Sequence, residues 1–261
     1  KYMPAKEVRR RDRYQHFVIA AAAEAMRWSG LQVTDANRHR TGVVIGSAVG
    51  GVESYYDQAR DYFETNDPRR ITPFGIPMLI VNAGSNLISL EIGATGPTAT
   101  PISACATGAE CIGHAFDLIR SGRIDQAVAG GGEAPIFALG IAAFDRVGAC
   151  SRLNDDPEHA SRPFDKNRLG LVFSEGASVI VLEELETAKA RGANILGEIV
   201  GYGSTSDAFH ITAPDPEAKG AAAAIRLALE DARLNPVDIH YINAHGTATG
   251  LNDVMETKAV K

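Results

Sequence analysis

The sequence predicts an α/β fold with a largely parallel sheet covered by helices on both faces, and three observations lead there. Short apolar runs such as Val43-Val44-Ile45 alternate with stretches of helical period. Turn-forming clusters fall between them, as at Gly130-Gly131-Gly132 and Asn235-Pro236. Hydrophobic residues fill 45% of the 261 positions, enough to bury a sizeable core.

In chain order, residues 14–29 read as a helix, 41–47 as a buried strand and 55–64 as a second helix. An apolar helix follows over 80–92, then a strand over 98–103, a helix over 107–121 and a strand over 126–129 that runs into a tight passage at the glycines 130–132. Helices of this length between short strands favour parallel pairing. Beyond a polar, turn-rich stretch over 151–168, residues 177–182 form a buried strand and 187–191 the basic end of a helix. A strand over 196–202 precedes an Ala-rich helix over 220–232. The last apolar strand, 239–244, ends on His245, and a final helix begins near Asp253.

Charge and cysteine usage exclude several classes. With 26 Lys+Arg against 32 Asp+Glu the formal net charge is -6, which argues against a protein devoted to nucleic acid or to anionic membranes, so any basic docking patch is local. No apolar run approaches the ~20 residues of a membrane span, and no signal-peptide pattern opens the chain, so a cytoplasmic location is expected. Three cysteines without C-x-x-C spacing indicate neither a disulfide framework nor a zinc site, and the histidines show no metal-ligand spacing.

Chemistry concentrates at two strand ends. In Ser103-Ala104-Cys105-Ala106-Thr107-Gly108 a cysteine stands where a strand gives way to a helix. Unpaired N–H groups and the helix dipole favour a thiolate there, and the small neighbours leave room for a substrate. A buried packing cysteine is the competing reading, and it is the one that suits Cys111 and Cys150. In Asn243-Ala244-His245-Gly246-Thr247-Ala248-Thr249 a histidine stands at the carboxyl end of an apolar strand, where open α/β sheets hold ligands. A neutral imidazole N–H can stabilise charge developing on a thioester oxygen, and the two threonines offer hydroxyls to a polar substrate arm. A satisfied structural histidine is the alternative.

Together these motifs resemble the elongating β-ketoacyl-carrier-protein synthases of type II fatty-acid synthesis. Cys105 stands in what looks like their nucleophile motif, and His245 in what looks like their first histidine motif. Ala129 to Glu133, Ser161 to Lys166 and Ser206 to His210 add matches in order, and the resemblance runs from Arg9 to Lys261. It implies a thiolase-like fold of five layers, α-β-α-β-α, with most of the first half in 1–192 and the opening of the second in 193–261. A first strand and helix before Lys1, and a lysine, a second histidine and a Gly-rich loop after Lys261, are expected of a complete member.

The resemblance also implies roles. Cys105 is the acylated nucleophile, His245 acts on the malonyl group during decarboxylation, and Thr247 and Thr249 hydrogen-bond the phosphopantetheine arm. Phe144 stands near the acyl pocket, Asp253 is a structural carboxylate, and Arg10, Arg11 and Arg69 meet an acidic acyl carrier protein. It implies a homodimer with no metal and no dissociable cofactor, the phosphopantetheine belonging to the carrier. A polyketide ketosynthase, a non-catalytic chain-length partner and a thiolase are the rival readings. The chain departs from the family pattern at Leu169, where Asp is usual, at Gly148, a basic docking position, and at Gly250, where Pro is common. The glycine at 250 is expected to loosen its loop.

Overall fold

A computed structural model describes residues 2–261 and divides them into two compact units. One comprises the residues up to Pro135 together with Ser174–Gly197, and the other Ile136–Phe173 together with Glu198–Lys261. The segment Ile136–Phe173, which the expected first half includes, groups with the residues after Glu198.

The first unit holds a four-stranded sheet of order β2-β1-β3-β4, formed by β1 (Thr41–Gly46), β2 (Thr98–Ala99), β3 (Gln126–Glu133) and β4 (Gly176–Glu183). Strand β1 pairs parallel with both β2 and β3, as expected, whereas β4 runs antiparallel along β3. An apolar run does not encode its direction, and an antiparallel edge on a parallel sheet is a common compromise. The pairing with β4 also carries β3 through the glycines to Glu133, where the sequence suggests a turn.

Helices α1 (Ala5–Val8), α2 (Arg13–Ser29), α3 (Val52–Thr65), α4 (Gly75–Leu79), α5 (Ala83–Ile92), α6 (Thr107–Arg120) and α8 (Leu185–Ala190) belong to the same unit. Period-two alternation divides the strand residues between two cores. Val43, Ile45 and Val128 pack with Val18, Ile19 and Ala22 of α2 and Ile88 of α5. Val44, Ala127 and Ala129 pack with Cys111, Ala115 and Leu118 of α6.

The expected helix over 80–92 starts only at Ala83. Buried Tyr14 donates to the Ile80 carbonyl at 2.7 Å, so a side chain of α2 takes up a carbonyl that a helix begun at Ile80 would need, and Gln15 donates to the Pro77 carbonyl of α4 at 2.7 Å. Asp12 caps α2 in a capping box with Gln15 and also accepts the Ser54 hydroxyl at 2.6 Å, fixing α3 to the same point.

The second unit is helical: α7 (Ala138–Val147), α9 (Lys219–Ala232) and α10 (Gly250–Val260) are joined by long connections. Neither 196–202 nor 239–244 pairs as a strand among the described residues, because an apolar run makes a strand only where a neighbour receives its hydrogen bonds. In the former the Tyr202 N–H instead donates to Asp231 of α9 at 3.0 Å. Helix α7 lies outside the sequence expectation, although Gly148 (φ +77°) closes it in the left-handed conformation that glycine takes readily.

Candidate active site

Cys105 lies on a sharp bend between β2 and α6. Ser103 has φ -142° and ψ 46°, Ala104 takes φ +50°, and a short 3₁₀ turn (Ala104–Ala106) leads directly into α6. A left-handed alanine costs about 1 kcal/mol, so neighbouring hydrogen bonds must hold it. Ala106 N–H donates to the Ser103 carbonyl at 3.0 Å, Thr107 N–H donates to the Ala104 carbonyl, and Ser103 N–H donates to Thr107 Oγ1 at 3.0 Å. The bend presents Cys105 as an exposed thiol at the mouth of a 14-residue helix, where an anionic side chain is favoured.

The other cysteines lack that setting. Cys111 is buried, and burial pushes its thiol up to about 12. Cys150 is half-buried and its thiol is also pushed up, by burial first and then by Asp145.

The second unit builds the His245 segment. The His245 and Gly246 N–H groups donate to the two carboxylate oxygens of Glu256, at 2.5 and 2.9 Å. Buried Asp253, one turn earlier on α10, accepts from Ala248 N–H at 3.1 Å and Phe164 N–H at 2.7 Å. Arg168 stands 3.4 Å from Asp253 and donates to the carbonyls of Thr249 and Gly250 at 3.1 and 3.2 Å. Asp253 therefore has the structural role expected of it. Gly250 opens α10, with Thr249 as N-cap accepting from Asn252 N–H. Thr247 and Thr249 bring their hydroxyl oxygens within 2.8 Å of each other, and either can donate to the other.

Phe144 lies on α7 and meets Phe173 edge-on, with ring centroids 4.6 Å apart. Leu169 is exposed, and Gly148 serves as the C-cap of α7, so neither position carries charge.

The three arginines that the resemblance offers for docking differ sharply in their surroundings. Arg69 is 88% exposed and paired in fork geometry with Asp67, whose carboxyl it holds below the usual range. Arg10 lies over the Phe74 ring at 4.7 Å and pairs with Glu7. Arg11 is only 11% exposed and is gripped by Glu91 at 3.0 Å and Glu7 at 3.6 Å, so it braces the fold instead of offering a surface charge.

Glu256 escapes the sequence reading, although its spacing from Asp253 carries the signal. Residues three apart on a helix share a face, so one turn of α10 presents two carboxylates to the loop before it.

Residues 2–188 match the family model described as beta-ketoacyl synthase, N-terminal domain, and residues 196–261 the corresponding C-terminal domain. A 3-oxoacyl-[acyl-carrier-protein] synthase 2 from Staphylococcus aureus is 46% identical over 260 residues, covering 100% of this chain and 62% of the relative. Among solved structures, a beta-ketoacyl synthase from Burkholderia phymatum superposes with a TM-score of 0.90 at 38% identity, over 98% of this chain and 62% of that one. A type II PKS acyl-carrier protein in complex with its ketosynthase bound to the hexaketide gives 0.87 at 32% identity, over 94% and 62%. The chain thus spans 62% of the length of the curated relative.

Proposed function

The chain belongs to the beta-ketoacyl synthase family, and from that premise we propose that it serves, whole or as part of a longer protein, as a 3-oxoacyl-[acyl-carrier-protein] synthase of fatty-acid elongation. The observation that carries this reading is the exposed Cys105 on its bend at the mouth of α6. Its thiolate attacks the carbonyl of an acyl thioester, a new C–S bond forms, the carrier's C–S bond breaks, and the carrier's thiolate leaves. Loss of carbon dioxide from a malonyl thioester then yields a carbanion. That carbanion attacks the acyl-Cys105 carbonyl, a C–C bond forms, the C–S bond breaks, and a 3-oxoacyl thioester departs as the Cys105 thiolate returns.

His245 is assigned the decarboxylation step, its imidazole N–H stabilising charge on the malonyl thioester oxygen. Thr247 and Thr249 are assigned to the phosphopantetheine arm, and Phe144 to the acyl chain. The arm belongs to the carrier, so the reaction calls for no metal and no dissociable cofactor. An acyl carrier protein is the proposed partner, in keeping with the ketosynthase–carrier complex among the solved relatives, and Arg10 and Arg69 are the surface charges offered to it. A homodimer in the cytoplasm completes the reading.

The polyketide ketosynthase is the second reading, favoured by that same complex. Identity of 46% to the 3-oxoacyl-[acyl-carrier-protein] synthase 2 against 32% to the polyketide ketosynthase supports the elongation reading, and the retained Cys105 argues against a non-catalytic partner. Mass spectrometry of carrier-bound products, after incubation with acyl- and malonyl-carrier protein, tests the assignment. A single two-carbon extension is expected. A chain of several unreduced ketones would transfer the protein to the polyketide reading, and absence of any extended product from a protein that also carries the second histidine expected of a complete member would contradict both.

A further inference from the structure

We propose that Thr107 is a positioning residue for Cys105, its hydroxyl locking the bend while its methyl rests on Gly46 at the end of β1; this builds on the reading of Cys105 as nucleophile. Thr107 is 5% exposed, and its Oγ1 is the acceptor for Ser103 N–H at 3.0 Å. That bond spans Cys105 from the residue two before it to the residue two after it. It closes a loop in which Ala104 is held at φ +50°.

The seat beneath Thr107 is made by the absence of a side chain. A Cβ on Gly46 would stand 2.2 Å from Thr107 Cγ2, 2.8 Å from Cys111 Sγ and 3.0 Å from the Pro101 carbonyl oxygen. Beside it, a Cβ on Gly131 would stand 3.0 Å from the Gly46 carbonyl oxygen and 3.5 Å from Gly108 Cα. The paired ends of β1 and β3 therefore form a bare shelf on which the first turn of α6 lies, and Thr107 is the side chain that registers the helix on it. The methyl fixes the height of the turn, and the hydroxyl fixes the entry angle of the chain that carries Cys105. Serine can supply the second function and valine only the first.

The test compares Thr107→Val, Thr107→Ser and the unaltered protein by the rate at which iodoacetamide labels each cysteine near neutral pH, read by peptide mass spectrometry. Thr107→Val should slow labelling of Cys105 about tenfold, the cost of one lost buried hydrogen bond, while Cys111 stays unlabelled. Thr107→Ser should restore most of the rate. Cys111 is the internal monitor: a merely structural role for Thr107 would admit label to Cys111 without selectively slowing Cys105, and that result would overturn the proposal. Equal Cys105 rates in the valine variant and the unaltered protein would also overturn it. Should the valine variant not fold, amide exchange at Ser103 in the unaltered protein decides the matter, since a locked bend requires a protected Ser103 N–H and rapid exchange there contradicts it. If Cys105 is not the fastest-labelled thiol in the unaltered protein, the nucleophile reading itself fails, separately from the role of Thr107.

Discussion

Replacing Glu256 by Ala removes the carboxylate that receives two adjacent backbone N–H groups, those of His245 and Gly246. Charge-assisted bonds of this kind contribute about 1.5–3 kcal/mol each when well shielded. His245 is solvent-exposed, so water replaces part of the loss, and a net cost of about 2 kcal/mol follows, or roughly thirtyfold in the equilibrium for loop opening. Asp253 and Arg168 still hold Ala248 and Thr249, so the effect should stay local. Hydrogen exchange followed by mass spectrometry is the assay: the peptide over 243–249 should exchange about thirtyfold faster, with the peptide over 41–46 unchanged. Glu256→Gln, which keeps one acceptor oxygen, should fall between. Carbon dioxide release from malonyl-carrier protein should decline in the same order, because the role proposed for His245 requires a fixed imidazole. Exchange over 243–249 at the unaltered rate in Glu256→Ala would refute the claim that α10 holds this loop.

Three further outcomes follow from the geometry. Charge reversal at Arg11 should cost about 2 kcal/mol of stability, several degrees in Tm, by setting a third carboxylate against Glu7 and Glu91, whereas reversal at Arg69 should leave Tm unchanged and weaken carrier-protein association at low salt. Arg40, in fork contact with Asp125, holds that carboxyl below its ordinary range, so the unfolded chain takes up the proton first. The pair's contribution is present above the ordinary Asp value of about 3.9 and lost as pH falls through the folded value; acid titration of Tm should show Asp125→Asn with a shallower decline there. Cys111, with its thiol pushed up to about 12, should resist alkylation in the folded protein and react promptly in denaturant.

What the sequence discloses, and what it hides, follows from the range of the interactions. Strand β1 and helices α2, α6 and α9 lie close to their expected bounds because their apolar periodicity and end signals are local. The bend at Cys105 is legible for the same reason: small residues mark the join of strand and helix. Strand direction at β4 and the break before Ala83 depend on contacts between distant residues, which no window of sequence contains. The stretches 196–202 and 239–244 form no strand among the described residues on that ground too. At the site, Arg11 has the sequence profile of a docking residue and the surroundings of a brace, a difference decided by Glu91, eighty residues away. Thr107 and Glu256 are missed although their partners lie within eleven residues: the Thr107 bond to Ser103 leaves no pattern in the sequence, and Glu256 shows only as a carboxylate three residues after Asp253.

Cys105 is the residue proposed to carry the acyl group. Incubation with acyl-carrier protein alone, followed by denaturation, proteolysis and peptide mass spectrometry, measures it most directly. One acyl adduct is expected, on the peptide containing Cys105, sensitive to hydroxylamine as a thioester is and absent from Cys105→Ala. An adduct on Cys111 or Cys150, or acyl transfer that persists in Cys105→Ala, would contradict it.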